Sequence, residues 1–264
     1  MKAKIQSRPC STPGAAKIPK PAKSRLDVLI VERGLAPSRE RAQALLLAGQ
    51  VRVDGQRAEK PGAQVATSAR IEIIGETLRY SSRGGLKLEG ALQDFAVSPV
   101  GRTCLDVGSS TGGFTNCLLQ HGATKVFAVD VTTNQLDWKL QQDPRVIMIE
   151  RNARYLQPAD LLEAPNVVTM DVSFISAAKV LPAIAALAAP GADILILVKP
   201  QFELDRGEIG KGGIVRDPAL HEKAVERVRS ATANAGLDIL GSKPSRLEGA
   251  EGNREFFLHA RKRV

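Results

Sequence analysis

Thr103-Cys-Leu-Asp-Val-Gly-Ser-Ser-Thr-Gly-Gly-Phe114, followed after about 20 residues by Val126-Phe-Ala-Val-Asp130, decides the fold of this chain. The stretch reads as a strand, a glycine-rich turn, a helix start and a second strand that ends in a carboxylate. An open α/β sheet holds a nucleoside-containing ligand with such a unit, at the carboxyl ends of its strands. Gly108, Gly112 and Gly113 allow a tight turn and close approach to the main chain, and Ser109, Ser110 and Thr111 offer small hydroxyls that leave the site open. Asp130 is placed to accept hydrogen bonds from ribose hydroxyls.

The run alone does not name the ligand, and three readings compete. A dinucleotide fingerprint wants G-x-G-x-x-G, but Ser110 takes the second glycine position, where a side chain crowds a pyrophosphate. A hydrolase nucleophile elbow, G-x-S-x-G, is matched by Gly108-Ser-Ser-Thr-Gly112, yet none of His121, His221 and His259 stands in a context that marks it as the base. The remaining reading is a methyltransferase holding S-adenosylmethionine, which needs a glycine turn and carboxylates but no pyrophosphate site. Asp106 then fits as a partner for the methionine ammonium, with an N-cap for the following helix as the rival role.

The rest of the chain sets bounds. Its 264 residues suit one full α/β domain with a small companion. The hydrophobic share of 43% is ordinary, and no apolar run approaches a bilayer-spanning length, so a soluble protein without stable membrane association is expected. Lys plus Arg number 37 against 28 Asp plus Glu, a formal charge of +9 that suits a polyanionic partner. Cys10, Cys104 and Cys117 are odd in number and lack C-x-x-C spacing, which argues against disulfides and a zinc site and for a reducing cytoplasm; no metal is expected. Residues 1–24 carry six basic residues, four prolines and no acid. They read as a disordered basic arm, since the prolines break the amphipathic helix that a presequence needs.

From Arg25 the pattern changes to Leu26-Asp-Val-Leu-Ile-Val-Glu-Arg-Gly34, then Ser38-Arg-Glu-Arg-Ala-Gln-Ala-Leu-Leu-Leu-Ala-Gly49, then Val51-Arg-Val-Asp-Gly55. Two short helices and a strand follow, with Ser38 as a cap, Gly34 and Gly49 at the left-handed positions behind each helix, and a second strand returning at 70–74 after the Asp54-Gly55 turn. This order resembles the RNA-binding domain of the ribosomal small-subunit protein S-four, over roughly residues 25–75 within a domain placed at 25–80. The resemblance implies that Arg25, Arg39, Arg41, Arg52 and Arg57 contact structured RNA through shape and phosphate.

A larger domain, 81–264, reads as alternating units: a helix opened by Ser82-Arg-Gly-Gly-Leu-Lys87, strands at 103–107, 125–130, 145–150, 166–171 and 193–198, and helices from 112, at 176–189 and at 218–235. At the carboxyl ends of its strands stand Asp171 and Lys199, with Glu255 near the start of the C-terminal strand. A lysine at the end of a buried strand must have its charge paired or desolvated, so Lys87, Asp171, Lys199 and Glu255 are expected to meet above the ligand; an ion pair closing the sheet edge is the rival reading for Asp171 and Lys199.

The segments Ser82-Arg-Gly-Gly-Leu-Lys-Leu-Glu, Asp106-Val-Gly-Ser-Ser-Thr-Gly-Gly-Phe-Thr, Gln135-Leu-Asp-Trp-Lys-Leu, Asp171-Val-Ser-Phe-Ile-Ser, Val198-Lys-Pro-Gln-Phe-Glu and Lys211-Gly-Gly-Ile-Val-Arg-Asp resemble the TlyA (haemolysin A) family. The resemblance implies a Rossmann-like class I methyltransferase sheet similar to that of FtsJ enzymes, with a small N-terminal α+β RNA-binding domain. It implies S-adenosylmethionine as cofactor and 2′-O-methylation of ribose in ribosomal RNA or ribosomal subunits, by a Lys-Asp-Lys-Glu tetrad that falls on Lys87, Asp171, Lys199 and Glu255. Lys199 is then the general base, and Asp171 orients its amine. The cofactor set becomes Asp106, Gly108, Ser109, Ser110, Gly112, Gly113, Phe114, Asp130, Val131, Asn152 and Asp171, and Arg83 and Lys211, the latter on a glycine-rich lid at 210–213, join the RNA contacts. The chain departs from the family at 132–134, where it carries Thr-Thr-Asn in place of glycines, and around Asn152. A non-catalytic ribosome-assembly factor and a membrane-lytic protein are the rival functions; the oligomeric state is open, with a monomer favoured.

Overall fold

The structure, a computed structural model, describes residues 22–36, 38–47, 49–74, 79–249 and 252–264, with the main chain alone for Ala44 and Lys211. The basic arm expected at 1–24 lies, up to residue 21, outside the described residues, as does Cys10. The described residues divide into two units, one up to residue 77 and one from 78.

In the first unit β1 (Lys23–Arg25) leads directly into α1 (Leu26–Glu32), and Gly34, with φ at +69°, ends that turn of chain before α2 (Arg39–Leu47). Leu26, Leu29 and Ile30, spaced one helical turn apart, bury one side of α1 together with Ala42, Leu45 and Leu46 of α2. Ser38 Oγ accepts a hydrogen bond from Arg41 N, the capping role expected of it. β2 (Val51–Val53) then meets Asp54 and Gly55, both at positive φ (51° and 82°), the backbone of a two-residue hairpin turn. The chain therefore returns at once as β3 (Gln56–Ala58), antiparallel to β2. After β4 (Gln64–Ala66), which pairs with β1, β5 (Ile71–Ile73) takes the other edge of β2. The sequence reading finds β5 and passes over β3, because Gln-Arg-Ala offers no β-branched or aromatic residue to announce a strand.

The second unit opens with α3 (Gly84–Asp94) and continues β6 (Thr103–Val107), α4 (Gly113–Gln120), β7 (Lys125–Asp130), α5 (Trp138–Gln141), β8 (Val146–Glu150) and β9 (Val167–Met170). It then runs α6 (Leu181–Leu187), β10 (Asp193–Val198), α7 (Pro200–Glu203), α8 (Pro218–Asn234), β11 (Leu237–Pro244) and β12 (Phe256–Lys262). The seven strands form one sheet in the order β11-β12-β10-β9-β6-β7-β8, parallel except for β12, which runs antiparallel between β10 and β11. Period-two alternation buries both faces. Cys104, Val126, Leu195, Leu197 and Phe257 pack with α3 and α4, whereas Leu105, Phe127, Val168, Met170, Ile194 and Ile196 pack with α6 and α8.

The expected helix at 176–189 is instead a 3-10 turn, Ala177–Lys179, followed by α6. Pro182 in the first turn lacks an N–H and its ring excludes a helical carbonyl four residues earlier, so one continuous helix cannot form. Asp217 caps α8 through a bond from Ala219 N, with Pro218 in the first turn, and Gly236 follows at φ +79°.

Candidate active site

The turn after β6 is built on Gly108. Its φ is +84°, and a Cβ at this position would stand 2.3 Å from the carbonyl oxygen of Asp171, so only glycine lets β6 and β9 deliver their loops side by side. Ser110 also has a positive φ, 47°, and its N–H donates at 2.8 Å to Asp130 Oδ2. The carboxylate ending β7 thus ties down the turn that ends β6, and its second oxygen, 3.4 Å from Thr132 N, has lone pairs to spare.

These elements surround a cavity of about 630 Å³ lined by Gly108, Ser110, Asp130, Val131, Asn152 and Asp171 among the residues expected from sequence. Residues 132–134, where the chain departs from the glycines of the family, are tied down: Thr133 N and Oγ1 reach Glu150 Oε2 at 3.3 and 3.2 Å, and Thr132 Oγ1 donates to Asn134 Oδ1. Asn152 spends its side chain on Arg154 N while remaining exposed on the cavity. The cavity also has Gln135, Arg151, Ser173 and Phe174 in its wall, which the sequence reading does not single out. Ser173 and Phe174 stand within the Asp171-Val-Ser-Phe segment already quoted; what hides them is that a serine and a phenylalanine in a loop carry no charge signal.

The other expected cofactor residues lie beneath this surface. Asp106 is 0% exposed, and its carboxyl accepts from Thr115 Oγ1 at 2.6 Å and Thr169 Oγ1 at 3.2 Å; burial pushes it up to about 7, against the pull of those hydroxyls. It does not cap α4, whose N-cap is Gly112. Ser109, Gly112, Gly113 and Phe114 are buried, the last stacked 6.2 Å from Phe257. Cys104 and Cys117 are free thiols that burial pushes up to about 12.

At the carboxyl ends of β9 and β10 the alternation, carried one residue past each strand, turns Asp171 and Lys199 toward the α3 and α4 face. Register does the same for Glu255: Val198 pairs with Phe256, so Glu255 stands across from Lys199. From α3, Lys87 Nζ donates to Glu255 Oε2 at 2.5 Å, both side chains being nearly buried. Lys199, 11% exposed, holds its Nζ 2.6 Å from Asp171 Oδ1 but aims its hydrogen bond at Ser173 Oγ, 2.8 Å away. Asp171 Oδ1 is itself buried, with the Lys199 ammonium as its neighbour. The four residues expected to meet form two ion pairs on three adjacent strands and one helix; of the four, Asp171 stands against the glycine turn and lines the cavity.

Phe174 stands out at the rim. It is 94% exposed, its φ of +64° is a conformation that a bulky residue rarely takes, and its ring lies 5.4 Å from that of Phe202. A second cavity, about 520 Å³, opens between α8, β11 and β12 and carries both signs of charge, with Glu222 and Glu226 beside Arg229 and Lys243; none of the four residues above lines it. The histidines are spent elsewhere: His221 contacts Val215 O, His259 contacts Asp193, and His121 contacts Cys117 O, so Ser110 has no histidine base. Among the described residues no group of three or more His, Cys, Asp or Glu could hold a metal ion.

In the first unit Arg25 and Arg39 both converge on Asp27, a carboxylate that is 0% exposed, with Gln43 as a further donor. Together they hold its carboxyl below the usual range, Arg25 most strongly and against the effect of burial. Arg57 pairs with Glu59. Arg41 and Arg52 are exposed and, among the described residues, have no carboxylate within ion-pair distance; Arg83 is exposed at the N-terminus of α3. The Lys211 side chain lies outside the described residues.

A doubly covered parallel sheet with an antiparallel β12, a glycine turn and a cavity at its carboxyl edge suits a methyltransferase, and comparison with known proteins shows that class. Residues 80–262 match the FtsJ-like methyltransferase model and residues 24–71 the S4 domain. YqxC of Bacillus subtilis is 50% identical over 239 residues, covering 90% of this chain and 85% of its own. The 16S/23S rRNA (cytidine-2′-O)-methyltransferase TlyA of Mycobacterium tuberculosis is 46% identical over 241 residues, 90% of each chain. A solved structure from Streptococcus thermophilus that bears the name hemolysin superposes with a TM-score of 0.72 at 44% identity, covering 91% of this chain and 89% of that one. The chain belongs to the TlyA (haemolysin A) family of FtsJ-like methyltransferases, with an S4 domain at its N-terminal side. No described helix is long and apolar enough to cross a membrane.

Proposed function

We propose that this enzyme methylates the 2′-oxygen of a ribose, a cytidine's in view of its relatives, in ribosomal RNA within the cytoplasm, with Lys199 as general base. The observation that carries the reading is the pair of ion pairs, Lys199 with Asp171 and Lys87 with Glu255, on one face of the sheet, with Asp171 also against the Gly108 turn.

S-adenosylmethionine fits the cavity on chemical grounds. Asp130 offers a carboxylate oxygen with lone pairs to spare for ribose hydroxyls, Gly108 and Ser110 bring a turn to the cavity wall, and Val131 adds apolar surface for an adenine. Asp106, buried below, supports the turn through Thr115 and Thr169. When bound, the cofactor supplies an electrophilic methyl carbon on a sulfonium.

The protein's own work is proton transfer and positioning. A ribose hydroxyl is a weak nucleophile, and its oxygen must lose a proton as it bonds to carbon. To act as base, Lys199 first releases the proton of its ion pair to solvent; the amine then keeps one N–H on Ser173 Oγ and turns its lone pair to the hydroxyl. The N–H gained on taking the proton points to Asp171 Oδ1 and restores the ion pair. Glu255 holds Lys87 in place, and Lys87 orients the ribose. Phe174, exposed at the rim, provides a face on which the target base stacks once it leaves its helix. Arg41, Arg52 and Arg83 supply phosphate contacts.

The test is transfer of labelled methyl to purified ribosomal subunits, with the modified position mapped as a nuclease-resistant linkage. Lys199→Ala is expected to abolish transfer while calorimetric affinity for S-adenosylmethionine stays close to wild type; substantial transfer by that variant removes Lys199 from the role of base.

A further inference from the structure

The loop 171–176 brings Asp171, Ser173 and Phe174 to the cavity; Val172 and Ile175 anchor it in the core, but few main-chain hydrogen bonds fix its course. Asp171 N donates to Val107 O at 2.9 Å at its start, but among the described residues the main-chain N–H groups of 172 to 175 donate to no main-chain carbonyl. At the far end the loop is seized by one side chain. Glu203, the last residue of α7, is 2% exposed; its Oε1 accepts from Ala177 N at 2.7 Å and its Oε2 from Ser176 Oγ at 2.5 Å. Its own carbonyl accepts from Arg227 Nη1 of α8 at 2.7 Å. Among the described residues its carboxylate has no cation within ion-pair distance.

Burying a carboxylate without a paired cation is costly, and an apolar side chain could fill the same space. What the carboxylate alone offers is two acceptors facing one way. They join the segment that begins with Lys199 to the segment that begins with Asp171, four residues after the one and five or six after the other. We propose that Glu203 is a positioning residue for methyl transfer: by clamping Ser176 and Ala177 it sets where Asp171, Ser173 and Phe174 stand relative to Lys199. The inference rests on the reading of Lys199 as base. Small displacements matter in such a site, because proton transfer needs donor and acceptor within hydrogen-bond reach.

Four variants and the wild type, assayed for methyl transfer at saturating cofactor and RNA and for thermal melting, test it. Glu203→Ala is expected to fold and to lose about 100-fold in kcat. Glu203→Gln keeps an acceptor for Ala177 N, and its amide can donate to Ser176 Oγ, so it is expected to restore most of the activity. Ser176→Ala is expected to lower kcat, and adding it to Glu203→Ala to cost nothing further, since both break one contact. Wild-type kcat in Glu203→Ala, a glutamine variant as slow as the alanine one, or additive losses in the double variant overturn the proposal. If Glu203→Ala does not fold, Ser176→Ala decides: a lowered kcat with wild-type melting supports the clamp and an unchanged kcat overturns it. A wild-type protein that leaves ribose unmethylated overturns the reading of the site instead.

Discussion

Asp106 shows how one residue's surroundings decide its chemistry. In the sequence it is a carboxylate ahead of a glycine turn, and two roles suit it equally. In the fold, strand alternation turns it inward to Thr115 and Thr169, and burial pushes its carboxyl up to about 7. The unfolded chain releases that proton near about pH 4, so between the two values the folded protein holds a proton that the unfolded one has lost. Its contribution to stability is complete below the lower value and is lost as pH rises through the higher one. Asp106→Asn has no such proton, and wild-type urea midpoints are expected to fall relative to the variant's between about pH 4.5 and 7.5. Parallel midpoints across that range would mean that the buried carboxyl stays ionised. A sequence announces that such a residue exists; which way it faces depends on neighbours 9 and 63 positions away.

Elements were legible wherever local pattern and tertiary demand agreed. Strands β6, β7 and β10 are largely apolar runs followed by turn residues, and α8 has its cap, its proline and its terminating glycine, so each stands where the sequence puts it. Disagreement came from short or polar pieces: β3 has no strand-forming residue, and Pro182 divides a run of alanine and leucine that otherwise suits one helix. The β6 to α4 turn admits a sharper test. In Gly108→Ala the left-handed backbone costs of order 1–3 kcal/mol, and the new Cβ also meets the Asp171 carbonyl 2.3 Å away. Gly236→Ala, at φ +79° with no atom within 4 Å, bears only the strain. The expected result is a larger fall in melting temperature for Gly108→Ala, together with loss of S-adenosylmethionine binding by calorimetry that Gly236→Ala does not share. Equal behaviour of the two variants would show that the close approach to Asp171 carries no weight.

For the whole molecule, the excess of basic residues bears on partners more than on fold. If Arg41, Arg52 and Arg83 contact phosphates, affinity for ribosomal RNA falls as salt rises, each such contact contributing about one unit to the slope of log affinity against log salt. Replacing Arg41 and Arg52 by alanine is expected to flatten that slope by about 2 in filter-binding titrations, with binding weakened alike on every RNA sequence. Arg25 and Arg39 are a different matter, since both are occupied by Asp27, and their loss is expected to destabilise the S4 unit as well. Sequence alone cannot make this distinction, because an arginine that holds a buried carboxylate and one that waits for a phosphate look the same in one dimension.

The site also joins distant parts of the chain. Glu255 meets Lys87 across 168 positions, and it arrives just ahead of β12, the strand that is made after all others of its sheet yet is inserted between two of them. Until β12 slots in, β10 has an open edge and the Lys87 ammonium no counter-ion. A chain cut short before residue 255 therefore lacks both the partner of Lys87 and the strand that separates β10 from β11.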